Sequence, residues 1–498
     1  MPAFVALDAG TGGGKCVIFD AAGKQLGAHR EPWSYDLRVN PDVPFVKEFS
    51  FSAPAFWDIL CRCTRTALSQ AGIAPRAVVG VAATSQREGC VFLDAQGTEI
   101  YAGPNIDARG FAEGLEVVST LGGERLYQIT GHSAPFIFPI ARYLWFRKHG
   151  TGGVAHLLMI NDWITYRLSG ELAAEPSNAT ESMLFDLRAR DWSEEILSAF
   201  SIPASILPPV LRSGERLGAL TAAAAAATGL QAGTPVYVGG ADTQCSLLGA
   251  GAIEPEATGA TLGTTTPVQT VVDHAVFDPA SRLWAGCHVV PDRWVLESNA
   301  GDTGDAYLWL LDLVSGGAPR EQLYQLGERL AADCFGPPTM LFVGPAVFDL
   351  SKMRFNRPGG ILFPFPALHV RPDRATLVRG FLENVAYALR GNIAQIEAIT
   401  QRKTRSLTLS GGMTRSAVLP RVIADVTGLP VDIAREPESA ALGCAMLIAA
   451  GASGSFASAV RTMVAHTRLD PDGQQHERYA APYAKWRQLH ERLDDLEI

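Results

Sequence analysis

The sequence predicts an α/β protein made of two similar units, and three observations carry that expectation. Short apolar β-forming runs alternate with longer segments of helical spacing along the whole chain. At 498 residues the chain exceeds the size at which one hydrophobic core stops growing, so more than one domain is expected. A strand ending in an Asp and glycines opens the chain at Phe4–Asp8 and recurs near mid-chain at Val236–Asp242. That echo reads as a duplicated architecture with a boundary near residue 248, giving units of 1–248 and 249–498.

Taken in order, the first unit opens with the strand Phe4–Asp8, the tight turn Gly10-Thr11-Gly12-Gly13-Gly14-Lys15 and a second strand, Cys16–Asp20. Strand, turn, strand is a hairpin, whereas a nucleotide-binding βαβ unit would pass from strand into helix. Helices are expected over Pro54–Ala71 and Phe138–Lys148, and strands over Val78–Ala83 and Gly89–Asp94. The alanine run after Thr221 is a strong helix former, and Gly229 stands where a C-cap belongs. In the second unit, Leu262-Gly263-Thr264-Thr265-Thr266 lies between extended stretches, Arg374–Ile399 is a long helix, and the strand Leu407–Leu409 leads into Gly411-Gly412.

Composition narrows the function. Lys and Arg number 42 against 51 Asp and Glu, a net charge of −9, and no dense basic run occurs, which argues against nucleic acid as the main partner. No apolar stretch approaches the roughly 20 residues of a membrane helix, so no membrane partner is expected. The first residues, Met1 to Asp8, lack the basic head and apolar core of a secretory signal, and a cytoplasmic location is the expectation. The eight cysteines are scattered without metal-ligand spacing and read as small core residues.

The glycine turns do not match the common nucleotide fingerprints. Gly14-Lys15 is followed by Cys16, not Ser or Thr, and Lys15 stands where a dinucleotide motif needs its third glycine. A glycine hairpin can still close backbone N–H groups around phosphate oxygens, with Thr11 adding a hydroxyl, Lys15 a charge and Asp8 a carboxylate for hydrated magnesium. An ordinary tight hairpin would carry the same residues. The recurrence downstream of Gly263-Thr264-Thr265 and Gly411-Gly412 favours the phosphate reading.

These segments, in order, carry a resemblance. Asp8-x-Gly10-Thr11 with Lys15, Gly239-Gly240-x-Asp242, Gly263-Thr264, Gly411-Gly412 with Ser416, and Glu438-x-x-Ala441-Leu442-Gly443-x-Ala445 resemble the motifs of the FGGY carbohydrate kinases from Phe4 to about Ala450. Pro139-Ile140-Ala141-Arg142-Tyr143-Leu144-Trp145 is similar to one family signature, with Arg for the usual Lys; Arg379-Gly380-Phe381-Leu382-Glu383 is similar to the second, with Gly for the usual Ala or Ser.

The resemblance implies two actin-like, ribonuclease-H-like domains flanking a catalytic cleft, with sugar bound mainly by the first and ATP mainly by the second. It implies phosphoryl transfer from ATP, with magnesium, to a hydroxyl of a small sugar or polyol. Asp242, after a strand and two glycines, is the expected general base and, with Asp8, a metal ligand; an Asp in that setting also serves as a turn former or helix cap. Gly10, Thr11, Gly12, Gly13, Lys15, Gly263, Thr264, Gly304, Gly411, Gly412 and Ser416 are the expected nucleotide-side residues.

For the acceptor, Gln86-Arg87-Glu88 offers a cation and a carboxylate that can clamp a polyol, although neighbouring charges are also common at surfaces. In the family's glycerol kinases a matching Gln-Arg-Glu binds the acceptor. Asn105 stands where those enzymes have Trp, which disfavours glycerol. Ser85–Gly89, Asn105–Arg109, Asp162-Trp163, Pro176-Ser177-Asn178 and Lys352-Met353-Arg354-Phe355 are similar to the branch of the family acting on the linear quorum signal autoinducer-2, and pentulose (xylulose) kinases are the alternative. His132, Phe136 and Phe138 read as packed core, and Met353-Arg354 as either a cap on the cleft or a surface loop. A homodimer is left open. A nucleotide-driven binding module of the actin or chaperone type is the reading from another class, since the fold hosts both uses.

Overall fold

The computed structural model describes residues 2–39, 46–332, 339–349, 351, 358–363 and 372–496. Lys352 to Phe355 and Cys334 lie outside the described residues.

Two mixed sheets of related order organise the chain. The first contains β1 (Ala3–Gly10), β2 (Gly13–Asp20), β3 (Gln25–Pro32), β4 (Val78–Ser85), β5 (Arg216–Ala219) and β6 (Pro235–Ala241), in the spatial order β5-β6-β4-β1-β2-β3. The second contains β7 (Thr258–Thr261), β8 (Thr265–Val272), β9 (Trp284–Cys287), β10 (Trp294–Asp302), β11 (Leu407–Ser410), β12 (Val431–Ala434) and β13 (His466–Leu469), in the order β9-β10-β8-β7-β11-β12-β13. In the first, β1, β2 and β3 form an antiparallel meander while β4 and then β6 join parallel to β1. The second repeats the plan, with an antiparallel run β7, β8, β10 and with β11 and β12 added parallel to β7. The hairpin expected after Phe4–Asp8 is present, but the segment Val236–Asp242, read as its echo, joins the first sheet as β6 and passes into a helix; the corresponding hairpin of the second sheet is β7–β8.

The helices that cover the sheets follow from strand periodicity. On β1, Val5 and Leu7 face one side and pack with Phe56, Trp57 and Leu60 of α1 (Ala53–Ala71). Phe4 and Ala6 face the other and pack with Leu442, Ala445 and Ile448 of α6 (Ser439–Ser453). Successive side chains of a strand point to opposite faces, and both faces here are buried, so the strand reads as a continuous apolar run. Helix α6, late in the sequence, therefore covers the sheet made by the start of the chain. It crosses α3 (Asp242–Gly249), the helix that leaves β6.

The second sheet is covered by the long helix α5 (Arg374–Thr400), whose Phe381, Leu382, Val385 and Leu389 are fully buried. Each such side chain contributes about 1.5–3 kcal/mol of hydrophobic stabilisation. α5 starts on Asp373, whose carboxylate accepts the Thr376 N–H at 2.8 Å, as an N-cap should. The alanine helix forms as expected, over Ala222–Thr228, with Thr221 as N-cap and Gly229 in the left-handed conformation. Two further helices are α2 (Ile160–Ser169), which packs on β4 and β6, and α4 (Gly304–Ser315), whose start supports the cleft. Among the described residues no helix is long and apolar enough to cross a membrane. His132, Phe136 and Phe138 are buried, and the seven described cysteines are free and buried.

Candidate active site

A cleft of about 760 Å³ lies where the two opening hairpins face each other, lined by Asp8, Gly10 to Gly13 and Lys15 on one side and by Thr261 and Gly263 to Thr265 on the other. The hairpin register pairs Asp8 with Lys15 and Gly10 with Gly13, which puts the carboxylate and the ammonium on one face. Lys15 Nζ lies 3.0 Å from Asp8 Oδ2 and also donates to Glu438, the N-cap residue of α6. Burial alone would lower the Lys15 pKa, but the two carboxylates outweigh it and hold the ammonium charged, above its ordinary range.

The turn after β1 is braced from below. Trp33 Nε1 and Tyr35 Oη donate to the Thr11 carbonyl at 3.2 and 2.6 Å. Gly13 is required by its neighbour, because a Cβ there would fall 2.5 Å from the Glu31 carbonyl on β3. The opposite turn is held by the start of α4: the Gly304 N–H donates to the carbonyls of Gly263 and Thr264 at 3.0 Å, and the Thr303 N–H to Thr264 at 2.8 Å. Gly411 adopts φ 92°, left-handed space that favours glycine, and the Met413 N–H donates to the Leu262 carbonyl at 3.2 Å, so the Gly411-Gly412 segment runs beside that turn.

Asp242 is the first residue of α3, at the end of β6, and lines the cleft. The Ala241 N–H donates to Ser177 Oγ at 3.0 Å, and Ser177 Oγ donates to the buried Glu175 at 2.6 Å. The Pro176-Ser177-Asn178 segment thus fixes the strand end that carries Asp242. Burial, then the nearby Asp8 charge, push the Asp242 carboxyl up to about 7, with Arg87 opposing. A carboxyl poised there can take a proton at neutral pH.

At the far end of the cleft stand Arg87, Glu88, Asn105, Ile106, Ile137 and Trp284. Glu88 has left-handed backbone, φ 56°, which is unusual for a non-glycine residue. Burial and the Glu181 charge push its carboxyl well above the usual range. Asn105 Nδ2 donates to Thr11 Oγ1 at 3.1 Å, and Asn105 Oδ1 is buried with no partner among the described residues. Arg87 is held by Glu297 and Glu181.

Asp8, Gly10, Thr11, Gly12, Gly13, Lys15, Arg87, Glu88, Asn105, Asp242, Gly263, Thr264, Gly411 and Gly412 all line this one cleft. Gln86, Gly304 and Ser416 do not. Gln86 is 1 % exposed; its Oε1 accepts the Asn105 N–H at 3.0 Å and its Nε2 donates to Tyr35 Oη at 3.2 Å, so it braces the loop that presents Asn105. Gly304 supports the Gly263 turn from behind. Ser416 Oγ accepts the Val418 and Leu419 N–H groups at 3.2 and 2.9 Å, just before the helix Leu419–Thr427, whose N-cap residue is Val418.

Sequence reasoning missed Arg30, Arg415, Glu438, Trp284 and Glu297. Arg30 is exposed, lines the cleft, and its guanidinium lies 3.3 Å from where a Cβ on Gly12 would stand. The β2–β3 register pairs it with Lys15 only because the ladder shifts by one residue between Ile18 and Phe19; counting outward from the turn without that shift would pair Lys15 with His29. Glu438 was visible only as part of a motif, and nothing local in the sequence distinguishes Trp284 or Glu297. Among the described residues no group of three His, Cys, Asp or Glu could hold a metal. The pair Asp8 and Asp242 suits a magnesium ion that arrives on phosphates, since such an ion keeps waters and takes one or two carboxylates. The raised Asp242 carboxyl is consistent with excess negative charge that a cation would relieve.

Comparison with known proteins gives concordant results. The model of the FGGY family of carbohydrate kinases, N-terminal domain, matches residues 3–249, and that of the C-terminal domain matches residues 258–452. The chain is 36% identical to autoinducer-2 kinase of Escherichia coli K12 over 511 residues, covering 98% of this chain and 94% of that one. It is 35% identical to autoinducer-2 kinase of Salmonella typhimurium LT2 over 510 residues, with the same coverage of 98% and 94%. Among solved structures, xylulose kinase from Rhodospirillum rubrum aligns with a TM-score of 0.84 at 25% identity, covering 99% of both chains. Plasmodium falciparum glycerol kinase shares the fold at a TM-score of 0.83 and 16% identity, covering 100% of this chain and 99% of that one.

Proposed function

The chain belongs to the FGGY family of carbohydrate kinases, and from that premise we propose that it phosphorylates a short linear sugar-like acceptor of the autoinducer-2 type, with Asp242 as general base. Its activity class is ATP-dependent phosphoryl transfer to a hydroxyl. The observation that carries the site is the position of Asp242, between two glycine turns suited to phosphates and a polar pocket suited to a polyol. The 36% identity to autoinducer-2 kinase over nearly the whole chain supports that acceptor. The structural likeness to the Rhodospirillum rubrum xylulose kinase keeps a pentulose as the second reading.

In this reading Arg87, Glu88 and Asn105 orient the acceptor so that one hydroxyl meets Asp242. Asp242 accepts that proton as the hydroxyl oxygen forms its bond to the γ-phosphorus and the bond to the β-phosphate oxygen breaks, leaving ADP. Lys15 and Arg30 present positive charge to the phosphates, and the glycine turns let backbone approach them closely. Asp8 and Asp242 would hold magnesium brought by the nucleotide, and such an ion supplies neutralisation of phosphate charge.

The test is coupled ADP release with linear autoinducer-2, xylulose and glycerol as acceptors, with mass-spectrometric identification of the product. The autoinducer-2 compound is expected to give the highest kcat/KM. Asp242→Asn is expected to lower kcat by roughly 10²–10⁴. Undiminished turnover in that variant would remove Asp242 from its role, and a preference for xylulose would replace the acceptor.

A further inference from the structure

A buried ion pair crosses between the two sheets at the acceptor end of the cleft. Arg87 follows β4 of the first sheet, and Glu297 lies within β10 of the second. Arg87 Nη1 donates to Glu297 Oε2 at 2.7 Å and Nη2 to Oε1 at 3.0 Å, the two parallel bonds of a guanidinium meeting a carboxylate face on. Glu297 is held in turn by its own sheet, accepting from Gln269 Nε2 at 2.7 Å and Asn299 Nδ2 at 3.2 Å. Arg87 is 9 % exposed and Glu297 2 %. A buried carboxylate is costly unless paired, and among the described residues Arg87 is the cation bonded to this one.

The same guanidinium reaches Glu181 Oε1 at 3.3 Å and lies over the Trp284 ring, 5.8 Å from its centroid. Arg87 is therefore aimed mainly by a residue from the other sheet. Its neighbour Glu88 lines the cleft on a left-handed backbone, with its carbonyl accepting from Arg142 Nη2. In the function proposed above, Arg87 and Glu88 serve the acceptor, and the role assigned to Glu297 rests on that reading.

We propose that Glu297 is a positioning residue for the acceptor: by locking the Arg87 guanidinium from the second sheet, it makes the acceptor pocket complete only when the two sheets are docked across the cleft. Acceptor affinity then depends on a residue that belongs to neither glycine turn.

The experiment measures acceptor and ATP KM separately for the wild type, Glu297→Asp, Glu297→Gln, Arg87→Gln and the Glu297→Gln/Arg87→Gln double variant. Glu297→Gln is expected to raise acceptor KM about tenfold with ATP KM within about twofold. Glu297→Asp, which keeps the charge, is expected to fall between wild type and Gln. In the Arg87→Gln background, adding Glu297→Gln is expected to change acceptor KM by less than about twofold, because the partner is already gone. Unchanged acceptor KM in Glu297→Gln, a parallel rise in ATP KM, or full additivity in the double variant overturns the proposal. If Glu297→Gln does not fold, Glu297→Asp decides, and an unchanged acceptor KM there overturns the proposal. A wild type that phosphorylates no acceptor sinks the functional reading instead, a result distinct from any of these.

Discussion

The carbonyl oxygen of Cys245 on α3 occupies the space where a side chain on Gly443 of α6 would begin, 1.9 Å from a Cβ built there. The contact is reciprocal, since a Cβ on Gly249 would fall 2.0 Å from the Ser439 carbonyl. Two helices thus cross backbone to backbone. One starts at Asp242 and the other is capped by Glu438, the partner of Lys15.

Gly443→Ala is expected to push these helices apart at the cost of overpacking, about 1–3 kcal/mol. Because the displaced helix carries Asp242, kcat is expected to fall more than either KM changes. Differential scanning calorimetry with steady-state kinetics checks both, and an unchanged Tm would show that the crossing relaxes freely.

In the proposed role Asp242 must be ionised to accept a proton, and its carboxyl is pushed up to about 7. The kcat/KM profile is therefore expected to rise with pH and level off above about 7, since this parameter reports the free enzyme. Asp242→Asn is expected to lose that limb. A profile in the wild type that is flat from pH 5 to 9 would contradict the assignment.

The same shift makes a prediction for stability. An aspartate titrates near 3.9 in an unfolded chain and at about 7 here, so the folded state holds this proton more tightly. The stabilising contribution is present in full below about pH 4 and is lost progressively as pH rises to about 7. Asp242→Asn, which stays neutral, is expected to raise Tm relative to wild type at pH 8 by a few degrees and to match it at pH 4. A lower Tm for the variant at pH 8 would reverse the sign and refute the burial argument.

Arg30 has no carboxylate partner among the described residues and stands over the Gly12 turn. Arg30→Ala is expected to raise ATP KM about tenfold, roughly the 1.5 kcal/mol lower end for a hydrogen bond to a charged group, with acceptor KM little changed. The loss is expected to shrink as salt screens the wild-type interaction. Equal KM values for ATP in both proteins would take Arg30 out of the site.

Much of the architecture was legible because it is written locally. A continuous apolar run defines β1, an alanine run ending in Gly229 defines a helix, and glycines between two strands define each hairpin. The Asp8-to-Lys15 segment could be read as a phosphate turn because hairpin register follows from the turn itself, and Asp242 because it follows a strand and two glycines. Gln86 and Ser416 looked like binding residues from their neighbours in the motif, yet their side chains serve the backbone of adjacent loops. Motif membership does not say which way a side chain points.

The sequence by itself determined the two-unit α/β plan, the glycine turns and the acid at the end of β6, because each depends on residues close together in the chain. Only the tertiary structure decided that α6 covers the first sheet, that Glu438 meets Lys15 across 423 positions, and that Glu297 aims Arg87 across 210. Those contacts depend on how the two sheets are docked, and no local propensity encodes which distant carboxylate a buried cation will find.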